Sequence, residues 1–62
     1  MGIEEIEVKE DTTMKQLVDE LELSSAPVLL ELDGEVFYPD EERDIILRRG
    51  DVVAVIRIVA GG

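Results

Sequence analysis

Sixty-two residues make one domain, and a chain this short buries only about 60% of the surface that its unfolded form exposes. The sequence holds no cysteine and no histidine, which removes disulfides, thiolate chemistry, the commonest metal ligand and the commonest general base. Sixteen acidic residues against six basic ones leave a net charge of −10, so nucleic acid is not an expected partner, whereas a protein with a basic docking face is.

No apolar stretch approaches the roughly 18 residues of a membrane span. Met1-Gly2-Ile3-Glu4-Glu5 has neither the basic flank nor the apolar region of a secretory leader, so a cytoplasmic location is expected.

In chain order, Ile3 to Val8 reads as a short strand in which Ile6 and Val8 alternate with Glu5, Glu7 and Lys9. Glu10-Asp11-Thr12 is a polar break. Thr13-Met14-Lys15-Gln16 then fits a capping box, with the threonine oxygen accepting from a first-turn amide and the glutamine reaching back to the amide of the cap. The helix that follows sets Met14, Leu17, Val18 and Leu21 on one face, and Lys15 stands four residues before Asp19 for a weak ion pair. Ser24-Ser25-Ala26-Pro27 ends it.

Val28 to Leu32 predicts a strand, and Glu35 to Tyr38 its return across Asp33-Gly34, a dipeptide suited to the positive φ of a two-residue hairpin turn. Pro39 to Asp44 is a solvated connection, Ile45-Ile46-Leu47 a short apolar strand, and Arg48-Arg49-Gly50-Asp51 a turn. Val52 to Val59 is apolar on both faces for most of its length, which predicts a central strand. The order implies an α+β roll, one helix packed across one small mixed sheet. Residues 1–59 form the body, and Ala60-Gly61-Gly62 a slim flexible tail.

Three constellations of chemical interest have simpler explanations. Arg49-Gly50-Asp51 spells an adhesion tripeptide but lies in a turn. Asp40, Glu41, Glu42 and Asp44 lack the spacing and the central glycine of a calcium loop. Glu4, Glu5 and Glu7 lie on a strand with no pocket implied. Without a histidine, a cysteine or a phosphate-binding loop, the chain is expected to be no enzyme. The group suited to covalent chemistry is the carboxylate of Gly62, which must be activated before a sulfur or nitrogen nucleophile attacks it.

The segment Leu47 to Gly62, a turn ending Gly50-Asp51, a last strand and a terminal Gly61-Gly62, resembles the end of the ThiS-type sulfur carriers, which have the ubiquitin-like β-grasp fold. The helix from Thr13 to Leu21 and the hairpin from Val28 to Tyr38 fall where that family has them. One departure stands out. The family begins with two strands, the first lying beside the last strand of the chain. Here one strand precedes the helix, so the first is missing or shortened and the sheet order is open, with Ile3 to Val8 taking the vacant place or a second copy filling it.

The resemblance implies a carrier whose Gly62 is adenylated by a ThiF- or MoeB-type enzyme, with ATP and magnesium held by that enzyme and not by this chain. A thiocarboxylate would follow, with sulfur from a donor such as a cysteine desulfurase, for delivery to thiazole synthase in thiamin biosynthesis. Ala60 and Gly61 would keep the stalk thin. Likeness to ubiquitin-like proteins also implies that Val53 and Val55 pack on the helix while Ala54, Ile56 and Ile58 face a partner. The alternatives are a MoaD-like carrier for molybdopterin, whose relatives are longer and approach their Gly-Gly through a proline, and a small archaeal-type protein modifier joined to lysines through Gly62. A plain binding module or trimmed scaffold is the remaining reading.

Overall fold

The computed structural model describes residues 2–41 and 43–58. Its elements are β1 (Gly2–Glu7), β2 (Thr12–Thr13), α1 (Met14–Glu20), β3 (Val28–Leu32), β4 (Glu35–Phe37), β5 (Ile46–Leu47) and β6 (Val52–Arg57). A four-stranded sheet runs in the order β1-β6-β3-β4, and β2 pairs with β5 in a separate ribbon.

β6 is central, as its two apolar faces predict. Where a mixed sheet was expected, all ladders of the described residues are antiparallel. The reason lies where β1 ends. Glu7 pairs with Val52, and the next residue, Val8, donates its N–H to the carbonyl of Asp51 and accepts from the N–H of Gly50, both at 2.8 Å. Two residues thus oppose one. This is a bulge with a glycine at positive φ (96° at Gly50), and it ties the exit of β1 to the entry of β6. β1 therefore occupies the place beside the last strand, which settles the open sheet order.

Thr13 caps α1 as expected: its backbone is extended, and its hydroxyl oxygen accepts from the N–H of Gln16 at 3.1 Å. The reciprocal half of the capping box is replaced. The Gln16 carboxamide oxygen accepts instead from the Thr12 hydroxyl at 3.1 Å, because the pairing of Thr12 and Thr13 with Leu47 and Ile46 holds Thr12 beside it.

The helix stops earlier than Ser24. Glu22 adopts φ 55°, the N–H of Leu23 reaches the carbonyl of Val18, and that of Glu22 reaches Asp19. This pair of bonds is a Schellman stop, with Val18 and Leu23 both in the core. Leu21 consequently sits at the cap and is 39% exposed, while Met14 and Val18 are buried and Leu17 is half-buried. Lys15 and Asp19 form no ion pair.

The Asp33-Gly34 turn takes positive φ at both residues, 52° and 83°, and joins β3 to β4 in the register Leu32 to Glu35. The core lies between α1 and one face of the sheet. Leu30, Leu47 and Val53 are completely buried there, with Val55 and Phe37 beside them. Arg43 caps this region from outside, its guanidinium 4.6 Å from the centre of the Phe37 ring.

Candidate functional site: the outer face of the sheet

Side chains of a strand alternate between faces, so the burial of Val53 and Val55 against α1 turns Val52, Ala54, Ile56 and Ile58 to the opposite face. Ala54 and Ile56 are half-buried, Ile58 is 47% exposed, and Arg57 emerges at the end of the core side, 3.7 Å from the carboxylate of Glu4. Val53 and Val55 thus face the helix, and Ala54, Ile56 and Ile58 the opposite side.

Register carries this face across the sheet. Ile56 lies opposite Ile3 on one side and Leu29 on the other, and continuing the β3–β4 register past Phe37 sets Tyr38 beside Leu29. The row Ile3, Ile56, Leu29, Tyr38 is apolar, with Ile3 65% and Tyr38 62% exposed at its ends. The next row is Glu5, Ala54, Glu31, Val36, so the smallest side chain sits between two carboxylates. Glu7, beside Val52, continues the acidic margin. Its carboxyl lies below the usual glutamate range because the Lys9 ammonium donates a 2.8 Å hydrogen bond to it and adds its charge. The result is an apolar surface rimmed by negative charge, suited to a partner with apolar and basic groups.

Ile58 ends the described part of β6's run. Its N–H donates to the carbonyl of Pro27 at 2.9 Å, and its side chain joins Leu29, Tyr38 and Pro39 around a shallow groove of ≈ 330 Å³. Ala54, Ile56 and Ile58 are therefore brought together on one face, whereas Val59, Ala60, Gly61 and Gly62 lie outside the described residues. Sequence reasoning missed Ile3, Leu29, Val36 and Tyr38, which share that face only through cross-strand register. Ile3 did carry a signal: it is apolar at the parity opposite to Ile6 and Val8.

The Arg49-Gly50-Asp51 tripeptide is part of the latch between the strand ends. Asp51 accepts from the Arg48 N–H at 2.9 Å, and the Arg49 N–H donates to Asp11 at 2.8 Å. In the acidic connection, Glu41 accepts from the N–H of Tyr38 at 2.9 Å and from Arg43 Nε at 2.6 Å, and these contacts hold its carboxyl below the ordinary value. No helix among the described residues is long and apolar enough to cross a membrane.

One helix laid across a small sheet, with the last strand at its centre and a hairpin beside it, defines the ubiquitin-like β-grasp class. Within that class, the ThiS family model matches residues 2–62, and the chain belongs to the ThiS family. Proteins of this family are small sulfur carriers, not enzymes, and work with adenylating enzymes. No match was found among curated proteins or among solved structures.

Proposed function

We propose that this chain carries sulfur as a thiocarboxylate on Gly62 for assembly of the thiamin thiazole. The observation that carries this reading is the family match, which runs from residue 2 through both final glycines. The chemistry needs three steps. A Gly62 carboxylate oxygen attacks the α-phosphorus of ATP, releasing pyrophosphate and leaving an acyl adenylate. The terminal sulfur of the donor's persulfide then attacks the acyl carbon and AMP departs, and a thiol cleaves the resulting acyl disulfide, freeing the thiocarboxylate and leaving a disulfide between that thiol and the donor cysteine. ATP and magnesium belong to the ThiF- or MoeB-type partner, the sulfur comes from a donor such as a cysteine desulfurase, and thiazole synthase receives it.

The body's part in this scheme is presentation. Ala54, Ile56 and Ile58, with Leu29 and Tyr38 beside them, form the docking face for the adenylating enzyme, and the acidic margin steers a basic partner to it. Ala60 and Gly61 form the slender part that threads into the partner's channel.

The test is ATP–pyrophosphate exchange by a ThiF-type enzyme with this protein as the acceptor of the adenylyl group. Exchange is expected with the native chain and is expected to vanish when one residue is appended after Gly62, with the thermal midpoint of the carrier unchanged. Equal exchange with the extended chain would remove Gly62 from the chemistry.

A further inference from the structure

β1 is an edge strand: β6 pairs with one side of it, and among the described residues no strand pairs with the other. Both backbone groups of Val8 point toward the Gly50-Asp51 bulge, so by alternation those of Ile6 and Glu4 point to β6. The N–H and C=O groups of Ile3, Glu5 and Glu7 then point outward, along the free edge.

The surroundings of this edge differ on its two sides. Ile3, Glu5 and Glu7 set their side chains on the outer face of the sheet, where two of the three are carboxylates. On the helix side, an open groove of ≈ 390 Å³ lies between β1 and α1, its apolar wall formed by Ile6, Leu17 and Leu21. A strand laid on the edge would direct alternate side chains onto Glu5 and Glu7, and the intervening ones into this groove.

We propose that the free edge of β1 accepts an extended segment of a partner protein, alternating basic and apolar residues, as an added antiparallel strand. Main-chain bonds to Ile3, Glu5 and Glu7 supply the pairing, the Glu5 carboxylate selects the charge while that of Glu7 is shared with Lys9, and Leu17 and Leu21 receive the apolar residues. A second copy of this chain is the wrong occupant. The two-fold register that uses all three outward positions sets Glu5 against its own symmetry mate, and Glu7 against Ile3, so like charges meet at the centre. The proposal does not involve Gly62 and stands independently of sulfur transfer.

The probe is a blocked peptide alternating lysine and valine, six residues long to match β1. Its control has the lysine backbone nitrogens methylated, which keeps every charge and removes the donors that would meet β1. Binding is expected to slow amide exchange at Ile3, Glu5 and Glu7 and to leave Glu4 and Ile6 unchanged, with the control about tenfold weaker or worse. Glu5→Pro removes an outward N–H while sparing the β6 ladder, and it is expected to abolish binding at an unchanged thermal midpoint. The double variant Glu5→Lys with Glu7→Lys keeps the backbone and is expected to weaken binding by about tenfold or more. Equal affinity for peptide and control would reduce the effect to diffuse attraction and overturn the proposal. Unchanged exchange at the three amides would do the same, as would protection of those amides by self-association without peptide.

Discussion

Glu22 occupies a backbone conformation that suits glycine. At φ 55° its Cβ crowds the following carbonyl, at a penalty of about 1–2 kcal/mol, and its carboxylate lies at the negative end of α1. Glu22→Gly is therefore expected to stabilise the fold by about 1 kcal/mol, read as a higher urea midpoint at unchanged slope. This stop was hard to read from the sequence because the usual glycine is absent, whereas Asp33-Gly34 declared its turn openly. At Glu41 the expected signature is electrostatic. The Tyr38 N–H and Arg43 favour its charged form in the folded chain, so its folded pKa lies below its unfolded one. That contribution is present above the unfolded value and is lost as pH falls through the folded one. Carboxyl-resolved NMR titration should show Glu41 titrating below an ordinary glutamate, and Arg43→Gln should move it upward. An unmoved midpoint would show that the Arg43 contact does not hold in solution.

At the scale of elements, β6 buries one face in the core, and the proposed function gives the other to recognition. Leu30, wholly buried and opposite Val55, should cost about 2–5 kcal/mol on truncation to alanine. Ile58→Asp, half-covered on the outer face, should cost about 1 kcal/mol, less than the Leu30 truncation, and yet raise the KM of the adenylating enzyme for the carrier. Chemical denaturation and the exchange assay, run on both variants, separate the two effects. Equal behaviour of the variants in both assays would mean that the faces are not divided this way.

The same strand shows which elements were legible. Its apolarity on both faces announced a central position, and Thr13 announced the helix start three residues before Gln16. Of the β2–β5 ribbon, β5 was legible in Ile45-Ile46-Leu47, but its pairing with β2 was not, since Thr12 and Thr13 leave no periodicity to detect. Nor was the direction of β1 beside β6, which depends on the bulge at Gly50 and the bonds it makes to Val8.

For the molecule as a whole, charge and topology act together. Sixteen acidic residues on a body this small keep copies apart and favour basic partners, and the antiparallel β1 leaves one acidic edge unpaired among the described residues. The apolar outer face gathers residues from β1, β6, β3 and the end of β4, which is why the resemblance pointed to Ala54, Ile56 and Ile58 on one strand and not to their neighbours across it. Gly61 and Gly62 were legible as a pair, and the family match extends to both.

The central claim is that Gly62 carries sulfur, and intact mass spectrometry of the protein purified together with its adenylating enzyme and sulfur donor tests it most directly. The expected result is a species heavier by the exchange of one oxygen for one sulfur, localised to Gly62 by fragmentation and dependent on ATP. A chain that keeps its unmodified mass under those conditions, or that appears only as lysine-linked conjugates through Gly62, would contradict the account.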